Sequence, residues 1–154
     1  MKTIEDYAFY GLANLTILDM MQCQVSSPLT NHTFVGLSSL KEVYLDLNHV
    51  GRIDAGALRP MPSLEELWMS DNNLTTLAPE VLDTAHLTKL NEVYLDGNPW
   101  RCDCHIRWLR EAIDNAQYTV ESPGLMKCAA PPNLANKSFI DLKPNDFVCK
   151  EPYK

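Results

Sequence analysis

Leu40-Lys41-Glu42-Val43-Tyr44-Leu45-Asp46-Leu47-Asn48-His49-Val50 places apolar residues at relative positions 1, 4, 6 and 11, with asparagine at 9. The segment from Leu64 repeats the pattern with Leu64, Leu67, Met69, Asn72 and Leu74, and the segment from Leu90 does so with Leu90, Val93, Leu95 and Asn98. An earlier copy runs Leu15, Leu18, Met20, Cys23, Val25, so the starts at 15, 40, 64 and 90 lie 25, 24 and 26 residues apart. Ile4, Phe9 and Leu12 fall in register with Ile53, Leu58 and Met61, as the tail of a preceding unit. Self-similarity at a period of this length marks stacked supersecondary units. Each unit contributes a short parallel strand and a returning segment, and none can bury its apolar face alone. Stacking therefore predicts one apolar column of Leu18, Val43, Leu67 and Val93, and a second of Met20, Leu45, Met69 and Leu95. Asn48, Asn72 and Asn98 form a third column, whose buried amides must hydrogen-bond the backbone of the turn leaving each strand.

The pattern L-x-x-L-x-L-x-x-N/C-x-L resembles the leucine-rich repeat. The resemblance implies an α/β solenoid: a right-handed arc with a concave parallel sheet and irregular convex segments. The pattern admits cysteine at position 9, so Cys23 is read as a buried free thiol with a structural role.

The solenoid needs a closing unit that hides its last apolar layer. Downstream of the last repeat stand Asn98-Pro99-Trp100-Arg101-Cys102-Asp103-Cys104, then Trp108-Leu109, Cys128, Pro131-Pro132 and Phe147-Val148-Cys149. Ile106, Leu109, Ala112, Ile113 and Ala116 recur at helical spacing, which predicts a short helix from His105 to Ala116. Trp100, Trp108 and Phe147 are read as wedges against the last repeat. Four cysteines leave three disulfide connectivities open. Cys-x-Cys-His also admits a zinc site, but zinc ligands usually come in two close pairs, and Cys128 and Cys149 each stand alone. The cysteine run is similar to the C-terminal cap of extracellular leucine-rich-repeat proteins, among them Toll-like receptors, Slit-type guidance proteins, platelet glycoprotein Ib and variable lymphocyte receptors. That resemblance implies the pairs Cys102 with Cys128 and Cys104 with Cys149, and no metal. Residues 1–97 are thus read as repeats (one partial, three full and the start of the last), and 98–150 as the cap. The family's N-terminal cap and leader are not found in this sequence, so the chain is read as a fragment behind an added Met1. A bare first repeat would expose an apolar edge layer and risk self-association, homodimerisation included.

Disulfides require an oxidising compartment. Sequons at Asn14, Asn31, Asn73 and Asn136 agree with an extracellular location, with Asn31 on the convex side and Asn14 and Asn73 close to strands. The net charge is −7 over 154 residues. An acidic chain is poorly suited to nucleic acid or to an anionic membrane surface, and no apolar run approaches the ~20 residues a membrane helix needs. His32, His49, His86 and His105 sit in no motif with a nucleophile and an orienting acid. Carboxylates on a face open to water should keep ordinary pKa values. No enzyme and no cofactor are expected.

Positions 2, 3, 5, 7 and 8 of each repeat should point outward from the concave face. Position 5 reads Asp19, Tyr44, Trp68, Tyr94; position 3 reads Ile17, Glu42, Glu66, Glu92; position 7 reads Met21, Asp46, Ser70, Asp96. Strands ~4.8 Å apart would stack the three aromatics into a ladder beside three glutamates, although like charges side by side destabilise a sheet. Exposed aromatics in a polar surround are the anchors interfaces use. The expected ligand site is therefore Tyr44, Trp68 and Tyr94, with Glu42, Glu66, Glu92, Asp46 and Asp96 setting a preference for basic and apolar features. The family resemblance implies a recognition module for protein or microbial glycan ligands, as in innate immunity; the alternative is an adhesive, guidance or matrix module for a host protein. The stretch from Gln117 to Leu125, between the cap's helix and its third cysteine, is expected to be structural or a minor contact.

Overall fold

The computed structural model describes residues 2–149. Three-residue strands begin each unit: β1 (Ile17–Asp19), β2 (Glu42–Tyr44), β3 (Glu66–Trp68) and β4 (Glu92–Tyr94). They pair in parallel with Leu18, Val43, Leu67 and Val93 as mutual neighbours. Val43, Leu67 and Val93 are fully buried, as are Leu45, Met69 and Leu95. Leu18 and Met20 are only half-buried and Ile17 is half-exposed, because no further strand covers β1 among the described residues. This is the apolar edge layer the sequence leads one to expect.

The strands stop after position 5 because the chain must turn toward the convex side. Position 8 takes a left-handed conformation in every unit, with φ of 55° at Gln22, 61° at Leu47, 59° at Asp71 and 76° at Gly97. That conformation is costly for residues other than glycine, and the position-9 amides hold it. Asn72 is typical: its Oδ1 accepts from Val50 N at 3.0 Å, and its Nδ2 donates to the carbonyls of Leu45, Met69 and Ser70 at 2.9–3.2 Å. Asn48 reaches back likewise to Val25 and Met20, and Asn98 to Leu74 and Met69. Each amide thereby ties its unit to the preceding one.

Cys23 departs from the expectation of a buried thiol: its side chain is exposed. A position-9 side chain is buried by the turn of the preceding unit, and only the extended stretch from Lys2 to Ile4 flanks Cys23. Its backbone N–H is nevertheless held by Asn48 Oδ1 at 3.0 Å.

The convex segments fill the core with Leu29, Phe34, Leu37, Leu58, Met61, Val81 and Leu87. They lie close together: a Cβ on Gly36 (φ 106°) would meet Phe9 O at 2.6 Å and Tyr10 Cα at 2.7 Å. Only glycine lets those two turns touch.

The cap opens with β5 (Trp100–Arg101), followed by α1 (Arg107–Asn115), β6 (Thr119–Glu121) and β7 (Cys128–Ala130), which pairs with β5. The helix starts two residues later than the periodicity suggests. Asp103 Oδ1 accepts from His105 N at 2.9 Å, which holds the residues before it in a turn. Leu109 is buried, with Ala112 and Ile113 packed beside the core. Trp100 is fully buried and donates its Nε1–H to Leu95 O at 3.0 Å, while Trp108 Nε1–H donates to Leu77 O at 2.8 Å. Both therefore seat on the last repeats. Phe147 instead packs edge-on against Phe139, at 5.3 Å between ring centroids. Its carbonyl accepts from the Arg107 guanidinium at 2.7 Å, so it locks the cap to its own helix.

Disulfides join Cys102 to Cys128 and Cys104 to Cys149, with Cα–Cα distances of 5.7 and 5.1 Å. These are the two pairs the family resemblance implies. Cys104, His105 and Cys149 bring their ligand atoms within 4.8 Å of one another. Because the two sulfurs are bonded to each other, neither supplies the thiolate that zinc needs. Repeats and cap share one hydrophobic core. The molecule is a solenoid of stacked strand-and-turn units closed by a disulfide-bonded cap. Among the described residues no helix is long and apolar enough to cross a membrane.

Candidate concave recognition face

Parallel register sets Glu42, Glu66 and Glu92 side by side, and likewise Tyr44, Trp68 and Tyr94. The outer face of a strand shows every second residue, so each of β2, β3 and β4 presents one glutamate and one aromatic. The aromatics stack: Tyr44 on Trp68 with centroids 5.1 Å apart and planes at 28°, and Trp68 on Tyr94 at 3.6 Å and 15°. Each ring donates to the glutamate of its own strand, Tyr44 OH to Glu42 at 2.6 Å, Trp68 Nε1–H to Glu66 at 3.0 Å and Tyr94 OH to Glu92 at 3.3 Å. These bonds explain how three adjacent carboxylates are tolerated, since each has a proton donor within reach. Both phenols hold their protons to higher pH than a free tyrosine. The hydrogen bond to Glu42, followed by burial, pushes Tyr44 up to about 12. Burial first, then the Glu92 and Glu121 charges, does the same for Tyr94.

At position 7, Asp46 and Ser70 depart from the outward-pointing reading, while Met21 is exposed. Asp46 is buried, and its Oδ1 accepts from Ser70 N at 2.8 Å. Ser70 Oγ–H in turn donates to Asp96 at 2.7 Å. Asp46 and Asp96 thus brace the turns beneath the ladder, and Asp46 presents little surface to a ligand. The expectation of ordinary carboxylate behaviour on this face is corrected as well. Burial, opposed by the Ser70 N–H and reinforced by the charges of Asp96 and Asp71, lifts Asp46 from 3.8 to about 6.

A stability consequence follows from that lift. The folded chain binds the Asp46 proton more tightly than the unfolded chain, so this stabilising contribution is full below pH ~4 and is lost as pH rises through ~6. A fully buried shift of this size would amount to about 3 kcal/mol; screening near an open face reduces it to on the order of 1 kcal/mol. Asp46→Asn keeps an acceptor for Ser70 N and carries no charge. Urea unfolding at pH 3.5 and 7 should show the Asp46→Asn protein gaining on the parent at pH 7 and little at pH 3.5; a loss at both pH values would refute the assignment.

The cap contributes a strand to this face. β6 pairs in parallel with β4, putting Thr119 beside Glu92, Val120 beside Val93 and Glu121 beside Tyr94. Sequence reasoning expects this stretch to be structural or a minor contact and so misses Glu121. A signal is present: Val120 follows Val93 by 27 residues, close to the repeat period, but the surrounding leucines of the pattern are absent.

The other sequence candidates lie away from the ladder. Asn14, Asn31, Asn73 and Asn136 are all exposed, and Asn31 Oδ1 accepts from Gly56 N at 3.1 Å. His86 pairs with Asp83 at 2.9 Å and His105 with Asp103 at 3.4 Å, each on the surface. Recesses of about 410 and 570 Å³ flank the cap around Arg101, Asp103 and His105, and no ladder residue lines either. Small-molecule sites are concave pockets, whereas the ladder is an open sheet face.

Residues 27–74 and 38–99 match the family model described as leucine rich repeat. The chain is 32% identical over 112 residues to the Mus musculus protein named trophoblast glycoprotein, covering 69% of this chain and 25% of that protein. It is 29% identical over 126 residues to the Danio rerio leucine-rich repeat and fibronectin type III domain-containing protein 1, covering 75% of this chain and 20% of the relative. Human immunoglobulin superfamily member 10 is 42% identical over 62 residues, 40% of this chain and 2% of the relative. The chain spans at most a quarter of the length of these relatives.

Proposed function

We propose that this leucine-rich-repeat chain is an extracellular recognition module that binds a protein partner through its concave face. The observation that carries the reading is the stack of Tyr44, Trp68 and Tyr94, half-exposed on a rigid sheet and braced by Glu42, Glu66 and Glu92. Rigid aromatics give large contact area at low entropic cost, which is why they anchor interfaces. An open face without a deep pocket suits a protein surface better than a small molecule. The three relatives are glycoprotein or multidomain leucine-rich-repeat and immunoglobulin-class proteins by name, in keeping with an adhesive or receptor role outside the cell. Two disulfides in the cap suit an oxidising compartment.

The test is to screen the multimerised chain against a panel of secreted and cell-surface ectodomains, with bacterial cells and cell-wall glycans as a second arm. Trp68→Ala is run in parallel, with Arg59→Ala on the convex side as control. Trp68→Ala should weaken an ectodomain hit by about 2 kcal/mol or more, roughly thirty-fold, while Arg59→Ala leaves it within error. Hits confined to the glycan arm would replace the protein partner with a microbial one. An ectodomain hit indifferent to Trp68→Ala would remove the concave face from the account.

A further inference from the structure

We propose that the two ends of the aromatic stack are seats for arginine side chains of an extended partner segment, one between Tyr94 and Glu121 and one between Asp19 and Tyr44. This rests on concave-face recognition of a protein and adds the chemistry of the partner.

The faces of Trp68 are both taken, by Tyr44 on one side and Tyr94 on the other. The ring faces left without an aromatic neighbour are the outer ones of the two tyrosines. Strand register places a carboxylate beside each: Asp19 next to Tyr44 on β1, and Glu121 next to Tyr94 on β6. Each seat also has the glutamate that accepts the tyrosine hydroxyl, Glu42 at one end and Glu92 at the other. Among the described residues, none of the ion pairs involves these four carboxylates. Lys41 is the sole basic residue in the outward-pointing columns. The stack is thus bounded at both ends by negative charge that the chain itself does not neutralise.

A cation over a tyrosine face gains from the ring quadrupole within ~6 Å of the centroid. A guanidinium fits better than an ammonium, because its plane stacks on the ring while its N–H fork meets a carboxylate. Spacing then sets the partner's pattern. The two seats lie three strand intervals apart, about 14 Å. An extended chain rises ~3.3–3.4 Å per residue and shows every second side chain on one face. Arginines four residues apart therefore reach both seats at once, with the chain crossing the strands over Trp68.

The probe is a synthetic peptide with two arginines four positions apart, separated by serine and threonine. Its citrulline counterpart has the same shape without charge, and its lysine counterpart keeps charge without the planar fork. Backbone-amide NMR of the chain reports where each binds. The arginine peptide should give saturable shifts at Asp19, Tyr44, Tyr94 and Glu121, weakening as salt rises. Glu121→Gln and Asp19→Asn should each reduce affinity on the order of five-fold, with the remaining spectrum unchanged. The citrulline peptide should not bind. Shifts that map elsewhere, or equal binding of the citrulline or lysine peptide, would overturn the arginine seats. Failure of the peptide alongside an ectodomain hit that Trp68→Ala abolishes would remove the arginine chemistry and leave concave recognition standing. A hit insensitive to Trp68→Ala would remove both.

Discussion

Asn72→Ala should destabilise the chain by about 3 kcal/mol, a large part of the 5–15 kcal/mol typical of a domain. The substitution deletes the acceptor for Val50 N and the donor to the carbonyls of Leu45, Met69 and Ser70, all at buried positions. The three carbonyls each keep a second donor, from Asn48 Nδ2, Asn98 Nδ2 and Leu47 N, so Val50 N–H is the one group left without a partner, at about 1–3 kcal/mol, and the lost side-chain bonds add the rest. The damage does not stay in one unit. The amide joins two turns, and a solenoid is held together by nearest-neighbour interfaces. Asn73→Ala is the matched control one residue along, exposed and with its backbone N–H still bonded to Val50 O; it should change stability by less than about 0.5 kcal/mol, as surface substitutions do. Urea unfolding of both variants measures the difference. A loss below about 1 kcal/mol for Asn72→Ala would mean the amide column is dispensable.

The second large effect concerns the cap. Replacing both Cys102 and Cys128 by alanine should cost about 5 kcal/mol, and more than the same change at Cys104 and Cys149. Chain entropy alone does not rank them this way. The bridges close 26 and 45 residues, and the entropy model gives about 3.5 and 4 kcal/mol. Burial decides the order. Cys102 and Cys128 are buried, between β5 and β7 and within the core that Trp100 closes, whereas Cys104 is exposed. Losing the inner bridge leaves a cavity and frees the layer that covers the last repeat. Thermal unfolding of the two paired variants checks the ranking. A larger loss at the outer pair would show that loop length outweighs packing here.

The strand columns are legible in the sequence because their period is set by stacking. Once Leu40, Leu64 and Leu90 are aligned, Val43, Leu67 and Val93 must touch, and Glu42, Glu66, Glu92 and the three aromatics come into line with them. The cap's helix is legible from Ile106, Leu109 and Ala112, though its start is not, since the Asp103 turn depends on tertiary placement of the cysteines. Disulfide pairing comes from family resemblance, as residue spacing alone leaves it open. Three features escape a reading of the sequence. Asp46 sits at a nominally outward position, but its carboxylate turns in to accept the Ser70 N–H of the next strand's turn. Cys23 matches the pattern, yet burial at position 9 comes from the neighbouring unit and is no property of the residue. Glu121 lies on a strand recruited by sheet pairing with β4, where only Val120 keeps the period.

Hydroxyl-radical footprinting of the chain with its strongest ectodomain binder tests the central claim most directly, because it reads side-chain access on a sheet whose amides are already hydrogen-bonded. Loss of oxidation at Tyr44, Trp68 and Tyr94, with Tyr7 and Tyr10 on the exposed convex edge unchanged, is the result the concave-face account predicts. Protection confined to Tyr7, Tyr10 and the convex side, with the ladder as reactive as in the free chain, would contradict it.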